Sequence, residues 1–290
     1  MKPAIPLEND AVILARRLAS RLIAVRGVVA VALGGSHARG TASAESDVDL
    51  GIYYEGKKAP SIKALRELAA ELDDERRRDV VTGYGEWGLW VNGGAWLQVE
   101  GRPLDWLYRE VGRVRQVIED CRHGRVTCDY YLGHPHGFHN HIYMGEVHYA
   151  MPLEDPRGVL AELKGPTENY PPAMRAEIVR KYLYDARFML EVARKSAVRG
   201  DVMHLSGCLF RVVAAVVQVL FAVNERYFVN EKGSVREVEG MRIRPDPWLD
   251  VVDAVLGRIG TEPPAMGESL GRAESLVAGV EALCAGEGLG

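Results

Sequence analysis

The run VVAVAL, Val28 to Leu33, constrains the fold most. It is continuously apolar and rich in branched side chains, the pattern of a strand covered on both faces. Such a strand needs helices to cover it and neighbours to pair with, and the flanking sequence offers both. Upstream, Leu14, Leu18, Leu22 and Val25 recur at helical spacing with arginines between them, which predicts an amphipathic helix over 10–26. Downstream come Gly34-Gly35-Ser36, a polar spacer and then DVDLGIYY. Its alternation puts Asp47, Asp49 and Gly51 on one strand face and Val48, Leu50 and Ile52 on the other.

The pattern then keeps switching between periods. A helix is expected over 61–72 with Leu65, Leu68 and Leu72 inward, followed by the charge run DDERRRD, which reads as solvated surface. AWLQVEGRPLDWLY reads as two strands joined by a hairpin at Glu100-Gly101, and this adds Asp105 to the sheet. A helix over 109–122, a loop rich in glycine and histidine, and a strand in IYMGEVHYAM complete this half. From Pro171 the periods become long and helical: two extended apolar-faced helices, a third capped by Asp246 with Pro247 in its first turn, and a fourth over 266–284. The fold class is therefore α+β. A mixed β-sheet flanked by helices occupies 1–163 and a C-terminal α-helical bundle 164–290, divided near the Gly/Pro-rich LKGPTENYPP.

Composition narrows the function classes. A hydrophobic content of 47% suits a sizeable buried core, and a formal net charge of −4 supplies no overall basic field for a nucleic acid. Cys121, Cys128, Cys208 and Cys284 form no C-x-x-C pair, and Met1 to Asp10 is too polar to read as a secretory leader, so a reducing cytoplasm is expected. Cys208 to Val223 is the most apolar stretch, but Arg211 and Gln218 interrupt it, so it reads as a buried helix and not as a membrane span.

The chemistry concentrates between residues 34 and 50. Two carboxylates on one strand face repel unless a cation lies between them, and carboxylate oxygens suit Mg²⁺, which completes its shell with water and phosphate oxygens. Gly34 and Gly35 let the backbone approach a phosphate, Ser36 offers a hydroxyl and an N–H, and Arg39 offers a cation. The turn itself carries neither G-x-x-x-x-G-K-[ST] nor G-x-G-x-x-G.

Helix, buried strand, Gly35-Ser36, spacer, and Asp47-x-Asp49 on an alternating strand together resemble the nucleotidyltransferase superfamily that includes DNA polymerase β. Within it the chain is similar to small bacterial enzymes typified by kanamycin and other aminoglycoside nucleotidyltransferases. The resemblance covers residues 10–155 by motif and the remainder by architecture only. It implies transfer of a nucleoside monophosphate, AMP from MgATP, to a hydroxyl of a small-molecule acceptor, with release of pyrophosphate. A protein-directed adenylyltransferase or an antitoxin-like regulatory nucleotidyltransferase is the alternative. The resemblance further implies two Mg²⁺ ions bridged by Asp47 and Asp49. Asp105 is the third metal ligand, and Gly34, Gly35 and Ser36 grip the β- and γ-phosphates. Glu146, on the last expected strand, is the candidate general base, and Lys232 is a candidate nucleotide contact. The acceptor's identity and the oligomeric state stay open.

Other features read more plainly. His134, His136, His139 and His141 lack the cysteine or helical spacing of a structural zinc site and are read as a loop on the substrate side. Trp87, Trp90, Trp96 and Trp106 have faces that suit a base or a sugar but read as core or interface filling. Arg199 and His204 match a loose R-x₄-H ribonuclease signature, yet Arg199 and Asp201 read as a helix end and the next N-cap.

Overall fold

The computed structural model describes residues 10–289; residues 1–9, which carry most of the stretch read against a leader, lie outside them. The chain folds into two compact units. One comprises the residues up to Glu119 together with Tyr143–Asn169; the other comprises Asp120–Ile142 and the residues from Tyr170 on. The sequence reading divides the chain once, at 163/164, whereas the units interleave because residues 120–142 pack with the later helices.

The first unit is a mixed sheet with helices. After α1 (Asp10–Ile23), the chain forms β1 (Val28–Leu33), the short α2 (Gly35–Arg39), β2 (Val48–Tyr54), α3 (Ile62–Leu72), β3 (Gly94–Val99), β4 (Arg102–Glu110) and α4 (Val111–Arg122). Strands β5 (Cys128–Tyr131) and β6 (His134–His139) belong to the second unit, and the chain returns with α5 (Ile142–Tyr149), β7 (Met151–Glu154) and α6 (Val159–Lys164). The five-stranded sheet has the order β3-β4-β2-β1-β7. Only its β2–β4 ladder is parallel, running from Val48↔Leu104 to Tyr54↔Glu110.

Every residue of β1 is buried, as its composition demands, with α1 and α6 packed against it. Leu14, Leu18 and Leu22 of α1 join Leu50, Ile52, Leu65, Trp106 and Tyr108 in one apolar core. The β3–β4 turn falls at Glu100 and Gly101, both with positive φ (54° and 74°), the backbone of a tight hairpin. Asp73 ends α3 and ties it to the sheet, accepting from the Gln98 N–H at 3.0 Å and from the Arg77 guanidinium at 2.6 Å.

Two local expectations fail here. The last expected strand is helical over its main part: IYMGEVHY forms α5, and only Met151–Glu154 is strand. A short apolar run does not distinguish a buried helix from a buried strand by period. The glycine- and histidine-rich loop is instead the hairpin β5–β6, turned at Gly133 (φ 85°). Gly137 (φ 118°) lets the hairpin close, because a Cβ there would lie 2.7 Å from Cys128 Sγ.

The second unit continues with α7 (Pro172–Arg199), α8 (Val202–Val223), α9 (Ser234–Glu239), α10 (Trp248–Leu256) and α11 (Pro263–Gly286). Asp201 caps α8 by accepting from the His204 N–H at 3.1 Å, and Arg199 ends α7, as the cap reading expects. The cap of α10 differs: Pro247, not Asp246, occupies the N-cap position. Helix α8 is long and apolar enough to cross a bilayer, with mean hydropathy 2.1, yet 72% of that window is buried inside the protein.

Its polar interruption has a partner. Gln218 Oε1 accepts from His141 Nε2 at 2.9 Å, while His139 Nδ1 is bonded to the Tyr182 hydroxyl at 2.5 Å. His136, His139 and His141 are all buried, and burial pushes the His136 and His141 imidazoles down to about 4 and holds His139 well below its ordinary range. These rings are folded neutral, whereas unfolded imidazoles titrate near 6.5. Between these limits the unfolded chain binds more protons, so stability is full above pH 6.5 and falls as pH drops toward 4. Each of His136 and His141 contributes on the order of 3 kcal/mol to that fall. Urea unfolding followed from pH 7 to pH 4 should show the decline, and His141→Leu should make it shallower.

Candidate active site

The end of β1 delivers the glycine turn onto β2. Gly34 N–H donates to the Asp49 carbonyl at 2.9 Å, extending the ladder one step past Leu33↔Leu50. Gly35 has φ 58°, and a Cβ on it would lie 1.8 Å from Asp49 Oδ2 and 2.7 Å from its Cγ. Glycine is therefore required at 35 both for the left-handed backbone and for the approach of the Asp49 carboxylate. Ser36 and Arg39 lie in the single turn of α2, which Gly40 closes in the left-handed conformation. Ser43 and Ser46 then fold the spacer on itself, the Ser43 N–H donating to Ser46 Oγ at 2.9 Å.

The carboxylates meet through the parallel ladder. Asp49 on β2 stands in register with Asp105 on β4, so both side chains share one face on adjacent strands, about 4.8 Å apart along the hydrogen-bonding direction. Asp47 differs from expectation. Strand β2 begins at Val48, so Asp47 immediately precedes the strand and is exposed. Burial, then the negative charges of Asp105, Asp47 and Glu146, push the Asp49 carboxyl up to about 7, with Arg109 opposing.

Glu146 stands on α5, not on a strand, and both of its oxygens are engaged. Arg109 Nε donates to one at 2.9 Å and Arg109 Nη2 to the other at 2.8 Å, a bidentate pair anchored by a buried guanidinium. Arg109 also lies over the Tyr143 ring, 5.4 Å from its centroid. The sequence reading did not single out Arg109. Its signal was parity, since Asp105, Leu107 and Arg109 alternate onto the same face of β4.

Lys232 lies in the second unit, exposed in the turn before α9, its N–H donating to Asn230 Oδ1 at 3.0 Å. Among the described residues no three His, Cys, Asp or Glu side chains stand as a ready ligand set for a metal ion. The histidine group thus fills the core of its unit, and it is not the loop that the sequence suggests. Of the four tryptophans singled out, Trp90 and Trp106 are buried as expected, whereas Trp96 is 60% exposed.

Residues 14–88 match the family model of the nucleotidyltransferase domain. Over this segment the chain is similar to nucleotidyltransferase domains. The match takes in most of α1, then β1, the glycine turn, β2 and α3, and ends before β3, so Asp105, in register with Asp49, lies outside it. A crystal structure of a nucleotidyltransferase-like protein from Exiguobacterium sibiricum 255-15 is similar over 91% of this chain and 74% of that one, at 10% identity and a TM-score of 0.46. No curated protein matches the sequence.

The donor set suits a divalent cation. Asp49, whose carboxyl is pushed up by burial and then by the charges of Asp105, Asp47 and Glu146, stands among hard oxygen ligands that gain when a cation separates them. Gly35 allows a sharp test of the turn. Gly35→Ala should displace the Asp49 carboxylate and, on the reading that the turn grips a nucleotide's phosphates, weaken MgATP binding at least tenfold by titration calorimetry. At Gly40 an added Cβ meets nothing within 4 Å, so Gly40→Ala should cost only the left-handed strain, about 1–2 kcal/mol in a melt, and leave binding intact.

Proposed function

We propose that the nucleotidyltransferase domain transfers AMP from ATP to a hydroxyl of a small-molecule acceptor, releasing pyrophosphate. The observation that carries this reading is the pairing of Asp49 with Asp105 beneath a glycine turn that only glycine can make at position 35. Asp47, Asp49 and Asp105 would hold Mg²⁺, a pair of ions in this reading, and the bound metal would offset negative charge on the phosphate oxygens. The Gly34–Gly35 backbone and the Ser36 hydroxyl hold the β- and γ-phosphates, with Arg39 as a supporting cation. The acceptor oxygen bonds to the α-phosphorus as the bond to pyrophosphate breaks. Its proton passes to a carboxylate oxygen of Asp105.

We assign the proton to Asp105 and not to Glu146 because Arg109 occupies both Glu146 oxygens. Glu146 and Arg109 instead brace α5 against β4 on the face that carries the carboxylates. Catalysis in this reading is mostly positioning and electrostatics, with little covalent work for the protein. Four free thiols, three of them buried, accord with a reducing compartment, which we propose is the cytoplasm.

Pyrophosphate release from MgATP across a panel of hydroxyl compounds tests the proposal. Asp49→Asn and Asp105→Asn should each lower turnover at least about a hundredfold. Chelation of the metal should abolish turnover, and added Mg²⁺ should restore it. Turnover at the wild-type rate in either variant would refute the assignment.

A further inference from the structure

The carboxylate row does not stop at Asp105. Across the β3–β4 ladder Asp105 is in register with Trp96, and directly opposed antiparallel residues point to the same face. One face of the sheet therefore carries, in order, the glycine turn, Asp49, Asp105 and Trp96. Trp96 stands two strand spacings, about 10 Å, from Asp49. Its neighbours on β3, Ala95 and Leu97, face the core and are buried, while Trp96 is 60% exposed.

The indole is held in place. Trp87 stacks on it with ring centroids 4.5 Å apart and planes at 23°. Trp87 reaches that position because residue 94 has no side chain; a Cβ on Gly94 would lie 3.0 Å from the Trp87 ring and 1.7 Å from the Trp106 carbonyl oxygen. An exposed large aromatic, braced on one side by a second one and beside a catalytic carboxylate, is a platform and not core filling.

The chemistry says what should rest on it. In an in-line displacement the attacking oxygen enters opposite the leaving pyrophosphate. If the glycine turn holds the phosphates, the acceptor enters from the Asp105 end of the row. We infer that the acceptor carries a ring that stacks on Trp96 while its hydroxyl meets Asp105. The inference rests on the nucleotidyl-transfer reading for the position of the phosphates. Planar aromatic rings and the C–H faces of sugar-like rings share this chemistry, and the experiment separates them.

The test uses ligand-observed saturation-transfer NMR on the full chain with Mg²⁺ and the non-hydrolysable α,β-methylene-ATP. Tyramine is the aromatic probe, 2-deoxystreptamine the saturated-ring probe and sorbitol the ringless control. The wild-type chain should bind at least one ring probe more tightly than sorbitol. Trp96→Ala should weaken that probe about tenfold, Trp96→Phe should restore most of the loss, and affinity for the nucleotide analogue should change less than twofold. Which probe binds decides between planar and saturated rings. Unchanged probe binding in Trp96→Ala overturns the inference, as does failure of the wild-type chain to bind either ring. A loss confined to the nucleotide analogue also overturns it, since the platform would then hold the base. Should the analogue not bind at all while ring binding still depends on Trp96, the platform stands and the nucleotidyl-transfer reading falls.

Discussion

The parallel pairing of β2 with β4 is the constraint on which the site depends. Every other ladder in the five-stranded sheet is antiparallel, and neighbours of that kind are joined by a tight turn or arrive from elsewhere in the chain. A parallel neighbour requires a crossover, which here is α3 together with β3 and its preceding loop. That crossover brings β4 back alongside β2 in the register that sets Asp105 against Asp49. A slip of one residue would turn Asp105 into the core and Trp106 out of it. The fully buried Trp106 and Leu104 thus hold the register that the carboxylates need.

The glycine turn is bound to the same ladder. Its first N–H extends the β1–β2 pairing onto Asp49, and its second residue passes so close to the Asp49 carboxylate that a methyl group would collide with it. The glycine turn and the Asp49 carboxylate are consequently placed by one piece of backbone pairing. The polar spacer between them folds on itself through serine hydrogen bonds and is tied to the turn where the Thr41 N–H donates to the Ser36 carbonyl.

Much of this was legible in sequence where periodicity is strong. The apolar run of β1, the alternation of β2, the leucine spacing of α1 and the Glu100-Gly101 hairpin all fix backbone state locally, and all appear. What was illegible depends on tertiary partners. IYMGEVHY has no period that separates helix from strand, and α5 is decided by packing and by the ion pair of Glu146 with Arg109. Arg109 was passed over because its partner lies far along the chain. The histidine-rich stretch reads as a loop until Tyr182 and Gln218, from two later helices, supply hydrogen bonds that allow imidazoles to be buried. Exposure of Trp96 was equally hidden, since a strand tryptophan is ordinarily core and only the register shows which face it occupies.

The interleaving of the two units has a topological consequence. The chain passes between them at 119/120, at 142/143 and again at 169/170, so no single cut yields either one whole. A fragment ending at residue 169 would retain β5 and β6 without the helices that supply Tyr182 and Gln218, leaving Phe138 and three imidazoles in water. A fragment starting at residue 170 would lack the hairpin altogether. The unit that carries the aspartate pair is consequently not a portable module in the manner of a bead on a string.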